Sequence, residues 1–178
     1  MRYSFFCFPM IFLTPILSSA ISLADIQNSP STYIDVSNNQ EVFVDVTSIQ
    51  STRYAPPYYT LEAEVYSVSG NSILESHYSV GYNYERSYEG IKDHVTSNYP
   101  NLTDAERARQ LNVEIQNNTG MYCTIQDVAT YNLQGDLLNQ VEGNYYRQDI
   151  AFMSPSYYIG NYLFYRYYNQ FFLPNERY

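Results

Sequence analysis

The 178-residue chain has no tryptophan, two cysteines, two histidines, seven glycines and nine basic residues. Each shortage closes a class of function. With only His77 and His94, and no His-Glu-x-x-His or Cys-x-x-Cys spacing, it lacks the clustered ligands of a metal centre. Gly81, Gly90, Gly120 and Gly135 stand singly, so no glycine-rich loop is available to cradle a phosphate. No serine sits in a Gly-x-Ser-x-Gly elbow, and Ser67-Val68-Ser69-Gly70 is an ordinary turn sequence. Eighteen acidic residues leave a net charge of −9. Nucleic acid and anionic membrane surfaces are therefore disfavoured, since both need clustered Lys and Arg. No cofactor or metal is expected.

What is present starts with a leader. Arg2, the apolar run from Phe5 to Leu17 and the small residues after it have the layout of a secretory signal peptide over residues 1–24. Cleavage after Ala24 fits best, with Ser22 and Ala24 as the small residues, and cleavage after Ala20 (Ser18, Ala20) is the alternative. The apolar run is shorter than the ~20 residues of a spanning helix, and Pro9 and Pro15 interrupt it. The protein is therefore expected in the periplasm, at the cell surface or outside the cell, with no integral membrane span after cleavage. Removing 24 of the 178 residues leaves 154, the size of one domain. Cys7 and Arg2 leave with the leader, so Cys123 stands alone and an internal disulfide is excluded. A buried free thiol is expected there, with an intermolecular bridge as the alternative.

Tyrosine is the outlier, at 22 residues. Its apolar ring and polar tip suit half-buried sheet faces and binding surfaces alike. Residues 25–31 are polar and contain Pro30, which reads as a flexible lead-in to a single domain over 32–178. Short strands are predicted at Tyr33 to Val36 and Val42 to Val46, then a loop at Arg53 to Pro57. Alternation of Leu61, Ala63 and Val65, a Ser69-Gly70-Asn71 turn, and alternation of Tyr78, Val80, Tyr82 and Tyr84 predict an antiparallel hairpin. Gly81 inside the second strand marks a bulge or a close backbone approach, the bulge being the more ordinary explanation.

Residues 86–102 show no period. Thr103 and Glu106 then form a capping box for an amphipathic helix over about 103–116. Met121, Cys123, Ile125, Ala129, Tyr131 and Leu133 predict one buried strand face, interrupted at Asp127 by a bulge or polar contact. Ser154-Pro155 opens an aromatic helix over about 155–171. The fold class expected is α+β: a mainly antiparallel, curved sheet with an inserted helix and a C-terminal aromatic helix.

Few residues suggest catalysis. Glu62 and Glu64 lie about 7 Å apart on one strand face, where a solvated sheet face explains them as well as an acid–base pair does. A Cys123 nucleophile is disfavoured because the thiol falls on the predicted buried face.

The element Val42-Phe43-Val44-Asp45-Val46-Thr47-Ser48-Ile49 resembles the early aromatic/apolar–Asp–x–x–Ser–Ile element of small exported bacterial domains of the surface-adhesin protein E type. The order of the later elements is similar across residues 33–145: Leu61 to Val68, His77 to Glu85, Tyr122 to Asp127, then Gln134-Gly135-Asp136. The member that gives the family its name pairs two cysteines, whereas Cys123 has no partner here. The resemblance implies an exported domain with a curved antiparallel sheet and a binding role. Asp45, Ser48 and Ile49 read as structural, with Asp45 and Ser48 hydrogen-bonding a strand end.

Together these features lead to the expectation of a non-enzymatic, adhesin-like envelope or surface protein that binds a protein partner from the host matrix or the envelope. The contact surface is Tyr78, Tyr82, Tyr84 and Tyr88 if those rings face solvent. If they form the core face, binding falls to the opposite face of the sheet and to Tyr54, Tyr58 and Arg53 in the loop. The alternative is an acidic inhibitor of a basic hydrolase such as lysozyme, and behind it a hydrolase using Glu62 and Glu64.

Overall fold

A computed structural model describes residues 21–174 except 38, 40, 145 and 146. Most of the expected leader, residues 1–20, and the tail 175–178 lie outside the described residues. The fold is α+β, built on an eight-stranded antiparallel sheet. Its strands are β1 (Tyr33–Asp35), β2 (Val42–Asp45), β3 (Gln50–Ala55), β4 (Tyr58–Ser69), β5 (Ser72–Asn83), β6 (Met121–Asn132), β7 (Leu137–Asn144) and β8 (Gln148–Asp149). The helices are α1 (Leu23–Asn28), α2 (Tyr88–Asn98), α3 (Asp104–Asn117) and α4 (Pro155–Tyr168).

Three twelve-residue strands, β4, β5 and β6, make the centre. The β4–β5 hairpin pairs without a slip from Tyr58↔Asn83 to Ser69↔Ser72, as its alternation predicts. The outer neighbours are broken. Along β4, residues 65–67 pair with β2 and residues 58–62 with β3. The gap between them is closed by Ser48, whose Oγ accepts the Glu64 N–H at 2.8 Å and donates to the Asp45 carbonyl at 2.8 Å. Asp45 Oδ1 in turn accepts the Thr47 N–H. The Asp–x–x–Ser element therefore ends one strand and starts the next.

One face of the sheet carries the main core. Leu61, Ala63, Val65, Val80, Tyr82, Met121 and Cys123 meet Ile91 and Val95 of α2, Ile115 of α3 and the stretch of α4 from Tyr157 to Phe164. Tyr157, Ile159, Tyr162, Leu163 and Phe164 are buried on more than one side of α4, which explains its weak amphipathic pattern. The helix opens as predicted, with Ser154 accepting the Tyr157 N–H and Pro155 in the first turn. It stops at Tyr168, three residues short of the expected 171, because Asn169 adopts a left-handed φ of 57°. α3 carries the reciprocal Thr103/Glu106 cap that its sequence announces.

Four expectations are corrected. The lead-in expected at 25–31 contains most of α1, with Ile26 buried against the opposite face of the sheet. Residues 88–98, without a recognised period, form α2, and they carry His94. Arg53 to Ala55, expected in a loop, belong to β3, which ends at the Pro56-Pro57 turn. The strand face drawn from Met121 to Leu133 is split. Register shifts at Gln126/Val128 and Glu75/His77 send Ala129 and Tyr131 to a second apolar cluster, with Phe43, Tyr66 and Ile73. The irregularity expected at Asp127 is therefore a bulge.

Candidate functional site

The tyrosines expected to compete between core and contact surface divide cleanly. Tyr82 is fully buried, with ring centroids 5.0 Å from Phe164 and 5.2 Å from Phe172, and its hydroxyl donates to the Gly160 carbonyl at 2.8 Å. Tyr78, Tyr84 and Tyr88 are half-buried against the same core. Burial raises the phenol pKa of Tyr78 and, much further, that of Tyr82. These four rings face the helical layer. Tyr54 (70% exposed), Tyr58 (44%) and Arg53 remain on the surface.

Arg53 and Tyr58 line a cleft of about 330 Å³ at one end of the sheet, with Arg86, Tyr122, Arg147 and Asp149 among its other walls. Three of the nine basic residues of this acidic chain thus converge on one place. The Arg147 guanidinium lies 3.4 Å from the centre of the Tyr122 ring, and that of Arg53 lies 5.5 Å from the centre of the Tyr58 ring. Neither Arg53 nor Arg147 joins an ion pair among the described residues.

Arg86 behaves differently. It bonds the Glu114 carboxylate at 3.1 Å and the carbonyls of Glu114 and Asn118 at 2.8 and 3.0 Å, tying the end of α3 to the cleft wall. Gly81 explains how Tyr122 lies flat. A Cβ there would collide with the Tyr122 ring, while pairing around Gly81 stays regular on both sides. The expected bulge at Gly81 is therefore a close approach instead.

The second polar cluster lies on the face of the sheet turned away from the helical layer. His77 sits between the two expected carboxylates, with Nδ1 2.8 Å from Glu64 Oε1 and Nε2 3.5 Å from Glu62 Oε2. Burial pulls the imidazole pKa down, but the hydrogen bond and charge of Glu64, joined by those of Glu62, lift it above its ordinary value. Ser79 and Thr52 donate to Glu62 Oε1 at 3.2 and 3.1 Å. Both ring nitrogens thus face carboxylates, and the nearby serine donates to Glu62. A nucleophile–base pair is not assembled at His77. Further along this face, Glu75 accepts the hydroxyls of Tyr66 at 2.9 Å and Tyr131 at 2.8 Å.

Cys123 is a buried free thiol, approached by Gln148 Nε2 at 3.6 Å. Among the described residues, no three His, Cys, Asp or Glu side chains are grouped to hold a metal, and no helix is long and apolar enough to cross a membrane. Comparison with protein-family models, with curated proteins and with solved structures finds no match to this chain.

Sequence reasoning found Arg53 and Tyr58 but missed Arg86, Tyr122 and Arg147. Their convergence depends on strand register. The one signal in the sequence was the scarcity of basic residues, which makes any cluster of them conspicuous.

Proposed function

We propose that the chain is an exported, non-catalytic binding module of the bacterial envelope or surface, adhesin-like in action, that takes an acidic segment of a protein partner into the Arg53–Arg147 cleft. The observation that carries this is a pair of arginines set over tyrosine rings, neither of them in an ion pair among the described residues, in a chain with 18 acidic residues. A guanidinium stacked on a ring keeps its N–H edge turned outward, in the fork geometry that matches a carboxylate. Tyr54 and Tyr58 supply exposed aromatic area beside it. Asp149 shares the cleft, so the site carries both signs with arginine in the majority.

Inhibition of a basic hydrolase through the acidic residues of the open sheet face has less support. Glu62, Glu64 and Glu75 are engaged with His77, Tyr66 and Tyr131 rather than presented outward.

The test is titration of a labelled oligoglutamate peptide into the protein. Saturable binding that weakens with added salt, and falls about tenfold (~1.4 kcal/mol) in Arg147→Ala, supports the proposal. Binding unaffected by Arg53→Ala and Arg147→Ala, or no binding at low salt, refutes it.

A further inference from the structure

The four residues that a cut after Ala24 would remove together with the leader are built into the fold. Ile21 is 5% exposed, in the apolar cluster that holds Ile26, Tyr66, Ile73 and Tyr131. Ser22 caps α1: its Oγ accepts the Asp25 N–H at 3.2 Å, while Asp25 Oδ2 accepts the Ser22 N–H at 3.0 Å and its hydroxyl at 2.6 Å. The Leu23 N–H donates to the Leu133 carbonyl at 3.1 Å. The facing turn is shaped around this segment. Gly135 has a φ of +94°, and a Cβ on it would stand 3.3 Å from the Ile21 carbonyl carbon and the Ser22 nitrogen.

A chain starting at Asp25 loses the anchor, the cap and the link to the β6–β7 turn. What is left of α1, Asp25 to Asn28, is about one turn, too short to hold itself. Ile26 and Tyr131, both now buried, would lose part of their cover. Cleavage after Ala20 meets the same small-residue requirement, through Ser18 and Ala20, and removes none of these contacts. Ser18-Ser19-Ala20 is also the first small-residue triplet after the apolar run ends at Leu17.

We propose that the leader is cut between Ala20 and Ile21, making Ile21 the first residue of the mature protein, an inference that rests on the chain being exported. Water adds across that peptide bond, leaving a carboxylate on Ala20 and an amino group on Ile21. A peptidase meets the chain before it folds, so both bonds are open to it. Only the upstream cut yields a product that contains its own folding contacts.

The full chain, expressed with its own leader in a bacterial secretion host, is examined by intact mass and amino-terminal sequencing. The expected product begins Ile-Ser-Leu-Ala. A product lighter by those four residues, beginning at Asp25, overturns the inference and leaves export standing. Retention of all 178 residues overturns both. Two variants sharpen the result. Ala20→Arg is expected to raise uncut precursor at least tenfold, whereas Ala24→Arg, at an exposed position on α1, is expected to leave the product's start and yield unchanged. The reverse pattern overturns the inference.

Discussion

The two faces of the sheet bury their tyrosines by opposite means. On the face covered by helices, Tyr82 sits among Phe164 and Phe172, and its hydroxyl ends on a neutral backbone carbonyl of α4. On the other face, only partly covered by α1, Tyr66 and Tyr131 both end on the Glu75 carboxylate. A neutral acceptor suffices where ring packing supplies the stabilisation, because the phenol asks only to have its hydroxyl satisfied. A carboxylate is tolerable only where water still reaches it, and there it makes the stronger, charge-assisted bond. Cover by helices, rather than residue type, decides which device is used.

The largest effect expected from breaking this contrast is on the covered face. Phe164→Ala should cost about 3–5 kcal/mol, read from the midpoint of a urea transition. A loss below about 1 kcal/mol would show that the helical layer does not hold the sheet. On the open face, Glu75→Ala should cost about 2–3 kcal/mol by removing the shared acceptor of two phenols, and Glu75→Gln should recover part of that. Equal losses from both variants would remove the carboxylate's special role.

Gly81→Ala probes the point where the covered core meets the cleft. The added methyl must displace the Tyr122 ring, at about 1–2 kcal/mol, and should weaken oligoglutamate binding by removing the platform beneath Arg147. Unchanged binding would separate Tyr122 from recognition.

The smallest effect concerns His77, whose pKa is higher in the folded chain than its ordinary value near 6.5. Its ion pairs with Glu62 and Glu64 therefore stabilise the fold fully below about pH 6.5. That contribution is lost as the pH rises through the folded value. Partial exposure limits it to about 0.5–1 kcal/mol. Thermal scans across this window should show the decline in the native protein and not in His77→Gln, and parallel profiles would refute it.

Legibility tracked the range of the interactions. The β4–β5 hairpin, the Thr103 cap and the Ser154-Pro155 helix start were readable because each rests on residues within a few positions of one another. α2 escaped because only Ile91 and Val95 are buried, one turn apart, and Gly90, Val95 and Thr96 are poor helix formers. α1 escaped because the expected cut after Ala24 separated Ser22 from Asp25, the two halves of its cap. The role of Gly81 was undecidable locally, since the ring that lies on it arrives 41 positions later. The cleft is the extreme case, drawing Arg53, Arg86 and Arg147 from three distant places.

The sequence by itself determined the α+β class, the central hairpin and the burial of the Cys123 thiol. These depend on alternation, capping and composition, which act along the chain. The tertiary structure alone decided which tyrosines are core, how His77 lies between its carboxylates and where Arg53, Arg86 and Arg147 meet. Those outcomes depend on register shifts in the sheet and on the helices that cover one of its faces, and neither is written in local spacing.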